Sequence, residues 1–371
     1  MKLGSRDLFP ELEPRVYANH AAISPMSTLV RDALVEVWED YAAKGVHAYL
    51  GWLEQRLRLK EEVLLGLLGV SGSAKDIAFS ASTTRSLSDA ALCLDWQQGD
   101  RVLLFSGEFP ANVTPWVQAA AAFGASVDVL PQSLSAAEEA LKRGGVRVLA
   151  VSAVQFQTGR RMPVRELIEL AHRYGALIAV DAIQALGVVP LDLEGADLVA
   201  GGSHKWAMGI EGLGYLYVRP GTPLVPRVAG WWSHEDPVDF LFAGAGKLEK
   251  RGKIREQGDF LEMGSVSAVG AAALWAGLVP MRRIGIERVY EHVQAWHDRV
   301  EPVFVSRGFE SLRGESGSLC FSHARAVEVS EALCEAGISV SAPDGVLRLS
   351  PHWCSDLDEH ALIAEELDRC L

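Results

Sequence analysis

The chain has 371 residues, 49% of them apolar, and its 35 Gly and 16 Pro are spread throughout, which excludes a disordered protein and leaves two domains, or one large domain with an appendage. With 35 Lys and Arg against 48 Asp and Glu the net charge is -13, and no basic cluster of the kind that binds nucleic acid offsets it. A charged start (1–14), no apolar run of about 18 residues and five scattered cysteines without a CxxC spacing point to a cytoplasmic protein with reduced thiols, no membrane span and no metal site.

The first predicted element is a helix with Ser24 as its cap and Pro25 at its first position, followed by Val30, Ala33, Leu34, Val37 and Tyr41 at helical spacing. A second amphipathic helix covers about 52–68. After Gly69 short strands alternate with helices. Strands are predicted at 77–79, 102–105, 127–130, 146–154, 177–180, 197–200 and 213–218, with helices at 84–94, 115–123, 135–142 and 163–174. Ser135 and Glu138 have the spacing of a capping box at the start of the third of these helices. This rhythm predicts an α/β fold with a mostly parallel sheet covered on both faces. From about 221 to 259 the composition is mixed, with Trp231, Trp232, Ser233 and His234 in one run and a basic stretch from Lys247 to Arg255. Helices at 267–282 and 286–307 follow. Strands at 318–321, 338–340 and 346–349, with helices at 325–336 and 356–370, then form a smaller α+β unit. The expected division is a large domain over 15–260 and a small C-terminal domain over 261–371, with 1–14 packing on the latter.

Lys205 lies in the run Gly201, Gly202, Ser203, His204, Lys205, Trp206, between two short apolar strands. An amine placed there is partly desolvated, loses its proton more easily and becomes nucleophilic. Asp181 ends the apolar strand 176–180, at the carboxyl edge where α/β sheets bind ligands. Such an acid can keep a pyridinium nitrogen protonated, as a pyridoxal phosphate site requires, or it can simply cap the next turn. Ser82 and Thr83 lie in a hydroxyl-rich turn after a strand and at a helix start, which suits either an anion or a plain N-cap. Phe109 also follows a strand's carboxyl end, where its face could cover a planar ligand. Arg348, inside an apolar strand, needs an anionic partner: a substrate carboxylate or a structural acid.

Taken in order, the segments 19–25, 82–84, 108–112, 181–184, 203–206 and 262–265 resemble the class V aminotransferase family of fold-type I pyridoxal phosphate enzymes, which includes cysteine desulfurases, isopenicillin N epimerase-like proteins and kynureninases. The resemblance implies a large domain with a seven-stranded type of sheet and pyridoxal 5'-phosphate as cofactor. It makes Lys205 the Schiff-base lysine, Asp181 the partner of the pyridine nitrogen and Gln184 the donor to the ring's phenolic oxygen. Thr83, with Ser82, Ser203 and His204, corresponds to the phosphate cradle, and Phe109 takes the stacking place where desulfurases usually carry His. Ser265 would reach the phosphate of a neighbouring subunit, which implies a homodimer with shared sites. Arg348 matches the arginine that grips the α-carboxylate of an amino acid substrate, and His20 and Asn112 are further candidates for the substrate pocket.

One departure bears on the reaction. Cysteine desulfurases carry a nucleophilic Cys on a loop shortly before the carboxylate-binding Arg, but 339–347 contains none. Cys320 falls in a predicted strand and Cys354 comes after Arg348. Trp231 and Trp232 resemble the Trp-rich segment of kynureninases and would wall an aromatic pocket or anchor a dimer interface. The expected reaction proceeds through an external aldimine and a carbanion at Cα. Transamination is the first reading, with a lyase or epimerase of the same family as the alternative, and a non-catalytic binding module as the reading from another class.

Overall fold

The computed structural model describes residues 1–239 and 252–371, so the basic stretch predicted from Lys247 falls partly outside the described residues. Its centre is a seven-stranded sheet in the order β2 (Ile77–Ser80), β8 (Gly214–Val218), β7 (Leu198–Gly202), β6 (Leu177–Asp181), β5 (Val146–Ser152), β3 (Arg101–Phe105), β4 (Ser126–Leu130). Strand β8 alone runs against the others. β6, β7 and β8 are almost wholly buried, as expected for strands covered on both faces, and their side chains divide between two apolar clusters, one on each side of the sheet.

Because the parallel strands share a direction, the chain after β2, β3, β5, β6 and β7 emerges on one edge. That edge gathers Thr83, Phe109, Gln155, Asp181 and Lys205. Two glycines permit the close approaches this requires. At Gly187, whose φ is +101°, a Cβ would lie 2.3 Å from the Trp206 carbonyl oxygen. At Gly214 it would lie 2.4 Å from the Ser82 carbonyl carbon.

A second, three-stranded sheet has the order β12 (Val346–Leu349), β10 (Leu319–Ser322), β9 (Glu310–Ser311). The N-terminal strand β1 (Val16–Tyr17) pairs in parallel with β11 (Ile338–Ser339), and Gly4 N–H bonds the Trp353 carbonyl at 2.8 Å. Val16 and Ala18 share an apolar cluster with Phe304, Leu319 and Leu347. The helix Ala268–Ile284 packs against the helix Thr28–Lys44 through Ala273, Ala276, Val30 and Leu34.

Two predicted caps differ from what the structure holds. The first helix starts at Thr28, capped by Ser27, whose hydroxyl accepts the Val30 N–H at 3.3 Å. Ser24 instead faces the loop after β7. The helix predicted from Ser135 is capped by Ser133, which accepts the Ala136 N–H at 3.2 Å, while Glu138 pairs with Lys142. In both cases a neighbouring serine offers the same hydroxyl, and tertiary contacts decide which one caps. The second helix runs over Val46–Arg58 and widens into a π-helical turn, Leu59–Leu64, which turns Lys60 inward to a buried ion pair with Glu262 at 2.6 Å.

Candidate active site

The loop after β7 is pinned from two directions. From the N-terminal side, Ser24 Oγ donates to the Lys205 carbonyl at 2.6 Å, and Ser24 N–H donates to the His204 carbonyl at 2.8 Å. Since that hydroxyl's proton is committed, Ser24 Oγ accepts from His20 Nδ1 at 2.7 Å. His20 is fully buried against the Tyr17, Trp206 and His352 rings. Burial, with His352 after it, holds its imidazole well below the usual histidine range, and Nε2 has no partner. From the C-terminal side, His352 Nδ1 accepts the Trp353 N–H at 2.8 Å, so Nε2 is the donor to the Trp206 carbonyl at 2.9 Å.

The Lys205 side chain projects from this loop, half-buried, with Nζ 5.4 Å from the centroid of the Phe109 ring. Burial pushes its amine below the ordinary lysine range; Asp181 opposes that shift and Arg348 adds to it. Asp181, 2% exposed, has its carboxyl pushed up by burial, and its Oδ1 accepts the Ile183 N–H at 2.9 Å. Phe109 is 41% exposed and meets Phe156 edge-on at 5.1 Å. Arg348 reaches over from β12, donating to the Phe156 carbonyl at 2.6 Å and to Ser341 Oγ at 3.2 Å, while its buried Nε has no partner. Lys205, Asp181, Phe109 and Arg348 are thus brought together.

Thr83 opens the helix Thr83–Cys93, capped by Ser82, whose Oγ accepts the Arg85 N–H at 3.1 Å. Thr83 Oγ1 is buried without a hydrogen bond, and a Cβ on Gly202 would come within 2.9 Å of it. Gln184 donates to the Ala21 carbonyl at 3.1 Å and accepts from Trp206 Nε1 at 2.8 Å, leaving one amide N–H over. The Ser203 hydroxyl is taken by the Ile210 carbonyl, and His204 stands half-buried beside Gly202. Asn112 is fully buried behind Phe109, bonded to Glu108 and Trp116, so like His20 it lies beneath the crevice surface. Ser265 is exposed on a separate cavity of about 410 Å³ with Ser80, Arg85 and Asp89. Trp231 and Trp232 lie near it: Trp231 Nε1 is 3.8 Å from where a Gly264 Cβ would stand, and Trp232 meets Tyr49 edge-on at 6.5 Å.

Motif reading gives no site role to Glu108, Ser152, Gln155, Phe156 and His352, and it makes Ser24 only a helix cap. Glu108 carried a usable signal, a carboxylate between a buried strand and the Phe-Pro step. The others act through backbone atoms or distant loops, which no local pattern announces.

These features fit pyridoxal phosphate. The orphaned Thr83 hydroxyl and the first-turn amides of its helix suit a phosphate, the buried acid suits a ring nitrogen, and the amine suits an aldehyde. Fold and site together define an α/β enzyme built around a desolvated lysine.

The sequence profile of the aminotransferase class-V family matches residues 16–347. YcbU, an uncharacterized aminotransferase of Bacillus subtilis, is 24% identical over 374 residues, covering 96% of this chain and 95% of its own. A cysteine desulfurase of Klebsiella pneumoniae is 27% identical over 297 residues, covering 76% of this chain and 70% of its own. Among solved structures, the cysteine desulfurase CsdA of Escherichia coli superposes with a TM-score of 0.84 at 23% identity, over 98% of this chain and 97% of that one. The cystine C–S lyase C-DES, in complex with its product cysteine persulfide, gives 0.84 at 22% identity, over 97% and 98%. A further C-DES structure, a lysine-to-alanine variant, has glycine covalently linked to its PLP cofactor. The chain belongs to the class V aminotransferase family of pyridoxal phosphate enzymes.

Proposed function

We propose that this enzyme acts on an α-amino acid and that its reaction is transamination. The observation that carries the reading is Lys205, an amine at a strand's carboxyl end, kept below its ordinary proton affinity by burial, with Asp181 as counter-charge and the Phe109 ring at 5.4 Å. When bound, pyridoxal phosphate supplies an electron sink for negative charge at the substrate α-carbon. Thr83, flanked by Ser82, Ser203 and His204, holds the phosphate through its free hydroxyl and the helix amides. Asp181 accepts from the ring nitrogen, the spare N–H of Gln184 serves the phenolic oxygen, and Phe109 covers the ring. Arg348, with its Nε unpartnered, takes the substrate carboxylate. Lys205 Nζ, as the free amine, would take the α-carbon proton and carry it as the ammonium until it is passed on. His20 and Asn112 support the walls from beneath, His20 through Ser24 and Asn112 through Glu108.

One observation favours a second reading, C–S cleavage: the likeness to a cysteine desulfurase and to a cystine C–S lyase. In this chain sulfur would leave on the product. The loop 339–347 holds no thiol, and Cys320, across the strand pair from Arg348, is buried with its thiol pushed up to about 12. Holoenzyme mixed with a panel of L-amino acids separates the two. Keto acid that depends on an added acceptor supports transamination; keto acid formed without one, together with sulfide or ammonia, replaces it with a lyase. A protein that stays colourless in pyridoxal phosphate overturns the reading of the site.

The proposal includes a homodimer in which Ser265 serves the partner's site. Supporting it, Ser265 is exposed, and two neighbouring helices carry the exposed apolar side chains Trp38 (59% exposed), Val46 (76%) and Leu50 (68%). Sedimentation at about twice the 40.2 kDa chain mass is expected, and an active monomer would remove Ser265 from the site. Among the described residues no helix is long and apolar enough to cross a membrane. The buried free thiols of Cys93, Cys320 and Cys354 suit a reducing cytoplasm.

A further inference from the structure

Glu108 is 8% exposed, sits directly before Phe109, and has no part in the reaction just described. Its carboxylate meets donors on every side. Oε1 accepts the Ser152 N–H at 2.8 Å and Gln155 Nε2 at 2.9 Å. Oε2 accepts Asn112 Nδ2 at 3.0 Å and the Ser152 hydroxyl. Asn112 is fixed in turn by Trp116, whose Nε1 donates to Asn112 Oδ1 at 3.0 Å. Four donors facing one carboxylate is the pattern of an ionised group. Ser152 is the link to the reacting centre, because it ends β5 directly opposite Asp181 in strand register. A buried negative charge therefore stands one strand away from Asp181. Burial first, and the charge of Glu108 with it, push the Asp181 carboxyl above the ordinary range. A clasp for the Phe109 loop needs hydrogen bonds but no net charge, and burying a charge is costly unless donors compensate it, as four do here.

We propose that Glu108 is a further positioning residue of the site: its hydrogen bonds fix Phe109, and its charge acts on the bound cofactor through Asp181. The titratable and charged groups facing Asp181 are Glu108 after β3, Lys205 after β7 and Tyr215 on β8, while Arg348 faces Lys205 from β12. Glu108 touches neither cofactor nor substrate in this arrangement. Removing a nearby negative charge lets both Asp181 and the lysine nitrogen release protons more readily, so the effect runs toward lower pH.

The inference rests on the site being a pyridoxal phosphate site. The test is a pH titration of the visible absorbance of the bound cofactor, in holoenzyme of wild type, Glu108→Gln and Ser152→Ala. The midpoint in Glu108→Gln should fall by about one pH unit, tenfold in proton affinity, and the cofactor should dissociate faster. Ser152→Ala weakens the clasp but keeps the charge, so its midpoint should stay with wild type. Equal midpoints in wild type and Glu108→Gln would make Glu108 a structural clasp alone and overturn the proposal. If Glu108→Gln does not fold, Gln155→Lys carries the same test, since it neutralises the carboxylate from a side that already donates. The same downward shift is expected there, and an unmoved midpoint again overturns the idea. A wild-type protein that binds no cofactor is a different result and removes the reading of the site itself.

Discussion

Two buried carboxylates stand at the ends of strands that flank β5, and the fold treats them differently. Glu108, after β3, is met by two backbone or amide N–H groups, a second side-chain amide and a hydroxyl. Asp181, at the end of β6, is met by the Ile183 N–H on Oδ1, and its other oxygen is left for something else. A folded chain satisfies a buried charge that touches no ligand, and leaves one under-satisfied where a ligand completes the set. The contrast separates the group that builds the crevice from the group that works in it.

The sharpest way to break this comparison is to neutralise each acid in turn. Asp181→Asn should lower kcat/KM by about 10²–10³-fold with the fold intact, the scale for removing one preorganised electrostatic partner. A loss of only a few-fold would put Asp181 outside the chemistry. Glu108→Ala should act mainly on stability, costing roughly 3 kcal/mol in denaturant unfolding because several buried donors lose their acceptor. Asp181→Ala in cofactor-free protein should cost much less, and equal losses would erase the distinction.

A pH series sharpens the same point. The Asp181 carboxyl is raised in the folded state, so its contribution to stability is fully present below the ordinary carboxylate range and is lost as pH rises through the folded value. Cofactor-free wild type should therefore lose thermal stability relative to Asp181→Asn as pH climbs from about 4 toward neutrality. Parallel pH curves would contradict the raised value. The smallest effect is expected at Ser24, which lies behind the lysine loop. Ser24→Ala should cost about 1 kcal/mol in stability and only a few-fold in kcat, and Ser24→Thr should restore both by keeping the hydroxyl. No change in Ser24→Ala would mean that the Lys205 carbonyl is held elsewhere.

Much of this was legible in the chain. Continuous apolar runs such as 177–180 marked strands buried on both faces, and their alternation with helices gave the parallel sheet, because both signals are local and repeat many times. Lys205, Asp181, Thr83 and Phe109 could be picked out because each comes at or soon after the end of such a run, at the edge where strand ends converge. Ser24 was misread as a helix cap, since a hydroxyl before Pro25 looks the same whether it meets an amide of its own helix or a carbonyl 181 residues away. Glu108 stood inside a motif, yet its four donors come from Ser152, Gln155 and Asn112, two of them more than 40 residues distant.

By itself the sequence determined the order of elements, because apolar periodicity acts over a few residues, and its collinear motifs carried the resemblance to the family. Only the tertiary structure decided which polar groups are satisfied and which are left open. Burial and hydrogen-bond partnership depend on segments that meet across the sheet, and for Asp181, Glu108, His20 and Thr83 those meetings set charge, tautomer and the places where a ligand fits.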